Sequence, residues 1–257
     1  MARLRIGECV CDVDDALLDA ARPRCQAGPF LVGSESRPTL WLRRDDALSP
    51  GGHLFQRERP DLGGFALERD TLRTSAPLST FPAEFALRAL FQLAVLRQGG
   101  FCAHGAGVVF GDAALVALGP SGAGKSTLSR LCLQAGAALL SDELVALLPG
   151  GRVLGSPFSS EPDLAASRAE ARAHALLLLE KAPTERLTPV ASSELLAALL
   201  GQRFRAVADL EPGPRVLTAV GAVVAEVPGF RLAFRKDVAV AGLLAEWVAH
   251  GTTASGR

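Results

Sequence analysis

The chain has 257 residues, 49% of them hydrophobic, and its 27 basic residues balance 27 acidic ones. A chain of this size and content buries one large core, or one medium domain with a smaller appendage, which excludes a disordered or fibrous protein. With zero net charge and neither sign gathered into a long block, it carries no surface for bulk electrostatic binding of nucleic acid or membrane.

From the N-terminus, Met1–Arg5 runs into acidic residues by Asp12, and no apolar run approaches the ~20 residues needed to cross a bilayer. A soluble cytoplasmic protein with no membrane partner is expected. The five cysteines (Cys9, Cys11, Cys25, Cys102, Cys132) are odd in number and lack a paired C-x-x-C spacing, which fits a reducing compartment better than a disulfide framework or a zinc site. Cys9 and Cys11 read as two thiols on one face of a strand. Up to about residue 80 the sequence is broken by Pro and Gly, and short apolar stretches such as Leu40-Trp41-Leu42 and Gly64–Leu67 read as strands. Residues 1–98 are therefore expected to form a small β-rich lobe ending in a helix over Phe81–Gln98. There Phe85, Leu87, Leu90, Phe91, Ala94 and Val95 recur at helical spacing and Gly99-Gly100 stops the run. That helix is expected to bridge two lobes.

Residues 99–250 are expected to form an α/β domain. Phe101–Phe110 and Ala113–Leu118 are apolar runs joined by Gly111-Asp112, a β-hairpin signal. The second run leads into Gly119-Pro120-Ser121-Gly122-Ala123-Gly124-Lys125-Ser126, a complete match to the phosphate loop G-x-x-x-x-G-K-[ST] between a strand and a helix. Ser126–Gln134 reads as that helix, Ala138–Ser141 as a buried strand, and Leu144–Leu148 as its continuation. Further on, Ala175–Leu179 and Phe230–Phe234 read as strands. Ser192–Leu200, started by Ser192 or Ser193, and Val238–His250 read as helices. Gly251–Arg257 is expected to be a flexible tail.

The loop carries the chemistry. Its glycines let successive backbone N–H groups turn toward phosphate oxygens, Lys125 reaches the β and γ phosphates, and the Ser126 hydroxyl ligates Mg²⁺. Only three of the 27 basic residues are lysines (Lys125, Lys181, Lys236), so an ammonium kept inside this loop is informative. The expected nucleotide contacts are Gly119, Pro120, Ser121, Gly122, Ala123, Gly124, Lys125, Ser126 and Thr127. Asp142 and Glu143 end the next strand, where a carboxylate can bind Mg²⁺ or accept a proton from an attacking hydroxyl. An acidic loop after a strand is the plainer alternative for both. His104, on the neighbouring strand, reads by itself as a hydrogen-bonded core residue, and His53, His174 and His250 as structural or exposed. Arg231 and Arg235 flank a late strand and read as solvated, with a charge for the transferring phosphate as the alternative.

From Cys102 to about Leu148 the chain resembles the catalytic domain of the HPr kinase/phosphorylase family, whose loop is related to that of phosphoenolpyruvate carboxykinase. Three features coincide in order: His104-Gly105 before a hairpin, the loop Gly119–Ser126, and Gly136 followed by a strand ending in Asp142-Glu143. Gly155-Ser156-Pro157-Phe158 and Val227–Leu232 look like the divergent branch found beside peptide-modification and polysaccharide genes. The resemblance implies a P-loop kinase domain of the HPr kinase/PEP carboxykinase type preceded by the β-rich lobe. It further implies ATP and Mg²⁺ as cofactors, with Ser126 and Asp142 at the metal, Asp142 and Glu143 as base and metal contact, and His104 supporting the acceptor or the base. It departs from the family in carrying Asp142-Glu143 where two aspartates are usual, and in lacking the Arg-Gly-rich segment downstream. Glu161 is the candidate for the missing second metal ligand.

The expected function is ATP-dependent transfer to a Ser hydroxyl of a small protein or peptide. The alternatives are a kinase for a small hydroxyl-bearing metabolite and a nucleotide-binding regulatory module without transfer. Members of the family commonly assemble as hexamers, so a homo-oligomer is also expected.

Overall fold

A computed structural model describes residues 1–48, 59–159, 161, 163–167, 169–207, 210 and 213–250. His53 and the expected tail Gly251–Arg257 lie outside these. The fold is mixed α/β, and among the described residues it holds two sheets and six α-helices. No helix among them is long and apolar enough to cross a membrane. The chain divides into two compact units, Met1–Phe101 with Arg205–Leu217, and Cys102–Phe204 with Thr218–Arg257.

The first unit holds strands β1 (Ala2–Ile6), β2 (Cys9–Val13), β3 (Leu40–Arg44), β4 (Phe65–Glu68) and β5 (Thr71–Thr74) in the order β1-β2-β3-β5-β4. Helices α1 (Asp15–Ala21) and α2 (Thr80–Arg97) pack against each other. Cys9 and Cys11 stand two residues apart on β2, which places both thiols on one face. Burial pushes the thiol pKa values of Cys9 and Cys11 upward, and that of Cys25 to about 12. As expected, α2 belongs to the first unit, and it is buried on nearly every side, a pattern that leaves no polar face. Its buried polar residues are paired accordingly. Glu84 accepts from Arg24 Nε (2.6 Å) and Arg88 Nε (2.9 Å), and the Gln92 side chain bonds the backbone of Ala206 and Val207.

The second unit holds most of β6 (Phe101–Phe110), β7 (Ala113–Leu118), α3 (Lys125–Gln134), β8 (Ala138–Ser141), β9 (Leu144–Leu148), β10 (Arg152–Leu154), β11 (Glu170–Lys181), β12 (Arg186–Pro189), α4 (Ser192–Gly201), most of α5 (Gly213–Glu226), β13 (Gly229–Phe234) and α6 (Ala239–His250). Its sheet runs β10-β9-β6-β7-β11-β13-β12, with β8 also paired to β6 and β10 also to β11. Alternate residues of four strands, among them Val108, Leu115, Leu177 and Leu232, meet Leu128 and Cys132 of α3 and Val240 and Leu244 of α6 in one buried cluster. Each fully buried aliphatic side chain there contributes roughly 1.5–3 kcal/mol. Helix α4 begins at Ser192 as expected, but Ala191 occupies the cap position and no serine hydroxyl caps it.

Two features of this sheet position the site. First, β7, β11 and β13 are adjacent and parallel, so their carboxyl ends open on one edge. Second, β6 runs antiparallel to both β7 and β8, pairing Gly105 with Leu118 and Gly107 with Ser141. The ends of β7 and β8 therefore point the same way across β6. A Cβ at Gly107 would stand 3.1 Å from Leu140 Cβ and 3.3 Å from Val145 Cγ1, so glycine is what lets these strands approach.

Candidate functional site

The segment after Leu118 turns through Gly119–Gly124 and enters α3 at Lys125. Gly124 is the cap residue, at φ 108° in the left-handed region, and an added Cβ would lie 3.0 Å from Phe234 Cζ. Both facts require glycine there. No side chain caps α3, so the backbone N–H groups of its first turn face outward at the positive end of the helix dipole. That is the standard chemistry of an anion site. Lys125 Nζ donates to the carbonyls of Gly119 (2.7 Å) and Pro120 (3.2 Å), and partial burial holds its ammonium below the usual lysine pKa.

The acidic pair sits on a bend. As expected, Leu144–Leu148 follows the preceding strand beside β6, but Ser141 Oγ accepts from the N–H groups of Glu143 (3.2 Å) and Leu144 (3.0 Å), which bends the chain between β8 and β9. Serine offers its backbone this local alternative to the ladder. Asp142 is 2% exposed, and Ser159 Oγ lies 3.1 Å from its Oδ1. The same hydroxyl is 3.0 Å from the Leu164 carbonyl and also reaches that of Glu161, so its single proton serves one acceptor at a time. Ser141→Ala should cost about 1–3 kcal/mol by orphaning the buried Leu144 N–H. A urea midpoint unchanged from the parent would contradict the role given to Ser141.

His104 is half-buried, with its ring edge-on to Phe204 at 4.9 Å, and its backbone N–H donates to the Gln202 carbonyl at 2.7 Å. The carbonyl of Glu143 accepts from Gly105 N–H at 3.1 Å. One cavity of about 550 Å³ brings these parts together: His104, Ser121, Gly122, Gly124, Lys125, Ser126, Thr127, Asp142, Glu143 and Gln202 line it. Of the remaining expected contacts, Gly119 and Pro120 contribute carbonyls to Lys125, and Ala123 lines a second cavity.

Sequence reasoning missed Gln202 and Ser159. Gln202 reaches the cavity through a bridge between Ala103 and Arg203, a long-range pairing without a local signature. Other candidates lie elsewhere. Glu161 and Asp163 pair with Arg130 on α3, and Arg231 pairs with Glu180 and Glu194. His174 packs edge-on against Trp247 at 4.9 Å, and His250 Nδ1 bonds the Glu246 carbonyl. Arg235 pairs with Glu185 beside the second cavity.

No family model matches the sequence, and no curated protein is similar to it. Among solved structures, that of the Hpr(Ser) kinase/phosphatase from Coxiella burnetii aligns at 16% identity over 58% of this chain and 88% of that one, with a TM-score of 0.31. The likeness is too distant to carry an argument about fold or chemistry.

Proposed function

We propose that the chain is an ATP-dependent kinase transferring the γ-phosphoryl group to a Ser hydroxyl of a small protein or peptide. The observation that carries this reading is the single cavity in which an uncapped helix start, the Lys125 ammonium, the Ser126 hydroxyl, two carboxylates and an imidazole converge. The ordered resemblance from His104 through Asp142-Glu143 to the HPr kinase/phosphorylase family supports it.

The residues fit a magnesium nucleotide. Among the described residues no group of three His, Cys, Asp or Glu side chains could hold a metal ion by itself. A cation here would be held by Ser126 Oγ and the Asp142 carboxylate together with phosphate oxygens, the mode Mg²⁺ favours over an all-protein cage. When bound, Mg²⁺ neutralises charge on the phosphates. Lys125 and the first N–H groups of α3 orient the phosphates and stabilise charge on the transferring group. Asp142, with Glu143 beside it, accepts the proton of the attacking hydroxyl as its oxygen bonds to phosphorus and the bond to the β-phosphate oxygen breaks. His104 and Gln202, which line the same cavity, orient the acceptor. Little covalent help is needed, because positioning and charge account for most of the rate in phosphoryl transfer.

The test is transfer of labelled γ-phosphate in the presence of Ser-bearing peptides or a metabolite extract. Label on peptide serine, appearing faster than free phosphate, is the expected result. Label confined to low-molecular-weight products would replace the reading with a metabolite kinase. Nucleotide binding without any transfer would leave a regulatory module.

A further inference from the structure

All three lysines of a chain that otherwise uses arginine stand around one loop. Lys125 lines the large cavity, while Lys181 and Lys236 line a second cavity of about 320 Å³ that shares Gly122, Gly124 and Thr127 with the first. The sheet explains the meeting. Lys181 ends β11 and pairs in register with Phe234 at the end of β13, so Lys181, Arg235 and Lys236 leave adjacent parallel strands on the edge where β7 gives rise to the loop.

The charge of this second cavity is not cancelled by its surroundings. Arg235 is partly neutralised by Glu185 at 3.1 Å and Asp237 at 3.8 Å. Lys181 and Lys236 are exposed and have no ion-pair partner among the described residues. Phe234, also in the lining, is buried with its ring edge against Gly124, so it supports the loop. A neutral heterocycle has no need of this set of cations. Compact ammonium groups on flexible stems suit a row of phosphate oxygens whose positions shift, whereas the fixed fork of arginine suits a single planar partner.

We propose that the second cavity is a second phosphate subsite, continuous with the first across Gly122–Gly124. It holds phosphate groups of the donor beyond those held by Lys125, so that the donor lies across the loop as a linear run of phosphates. Lys125 grips one end, and Lys181 and Lys236 grip the other. The inference rests on the kinase reading for the placement of phosphate at the loop. The run can be the phosphates of a nucleoside triphosphate or those of an inorganic polyphosphate.

Calorimetric titration of the full chain with the Mg²⁺ complexes of pyrophosphate, inorganic triphosphate, a longer inorganic polyphosphate and ATP separates these sources. In the parent, affinity rises with the number of phosphates. The double variant Lys181→Ala/Lys236→Ala binds the longer inorganic chain about tenfold more weakly, with a shallower salt dependence, and binds pyrophosphate within about twofold of the parent. Removing two exposed charges elsewhere, by Arg5→Ala/Arg215→Ala, changes neither. A matching loss for ATP assigns the subsite to the nucleotide's own phosphates, and a loss confined to the inorganic chain assigns it to polyphosphate. Equal affinity for short and long chains in the parent, or a loss for ATP with none for any inorganic chain, overturns the proposal. If Mg-ATP binds no better to the parent than to Lys125→Ala while the lysine pair still governs the inorganic chains, the kinase reading falls and the subsite stands.

Discussion

Replacing Lys125 with Met should lower phosphotransfer by about two to three orders of magnitude, the cost of removing one preorganised donor from a charge-stabilising site. The variant should fold as well as the parent. Burial depresses the Lys125 pKa, so at neutral pH the folded state holds the ammonium at a penalty. That penalty is relieved as pH rises through the folded-state value toward the ordinary lysine value, and stability rises with it. Methionine keeps the length of the stem and removes the penalty, so thermal unfolding of Lys125→Met should be no earlier than that of the parent. A lost rate with a retained melting temperature separates chemistry from folding. A variant transferring at the parent rate would show that the ammonium does not face the phosphates.

Asp142→Asn should lower kcat by about 10²–10⁴-fold, the usual worth of a positioned general base. The substitution preserves volume, and an amide oxygen can still accept from Ser159 Oγ, which lies 3.1 Å from Asp142 Oδ1. Stability should therefore change by no more than about 1 kcal/mol. A parent-like rate would assign the proton transfer elsewhere, with Glu143, which lines the same cavity, as the first alternative.

The two residues differ in how they reach the cavity. Lys125 is placed by a local motif, with its strand, turn and helix all contained in Ala113–Gln134. Asp142 depends on a long-range arrangement, in which β8 lies antiparallel to β6 and the Ser141 hydroxyl bends the chain just after it.

That difference marks what was legible in the sequence. The hairpin Phe101–Leu118, the loop, the helix after it and the strand Ala138–Ser141 were readable because each is set by neighbouring residues: apolar runs, a Gly-Asp turn and glycines at the bends. The bend at Asp142-Glu143 was not, since an apolar run on both sides masks a turn made by one serine side chain. Helix α1 escaped because its seven residues are too few to show a period, although Asp14 caps it with a bond to Ala16 N–H. Helix α5 escaped because Gly213-Pro214, Gly221 and repeated valines resemble loop and strand composition, and tertiary packing decided the outcome. The near-complete burial of α2 carried no local sign, because Glu84 and Gln92 are matched by Arg24, Ala206 and Val207 from other parts of the chain.

The candidate site divides in the same way. Gly119–Thr127 were singled out by the motif, Asp142 and Glu143 by their place at the end of the next strand, and His104 by the family resemblance. Gln202 and Ser159 carry no local pattern. They come to the site through the Ala103–Arg203 bridge and the Ser159–Asp142 hydrogen bond, which only folding creates.

Calorimetric titration of the full, folded chain with Mg-ATP tests the anion cradle at Gly119–Ser126 most directly. Saturable binding at one site per chain, weakened by Lys125→Met, is the predicted result. Heats indistinguishable from dilution, on protein that melts cooperatively, would contradict the account.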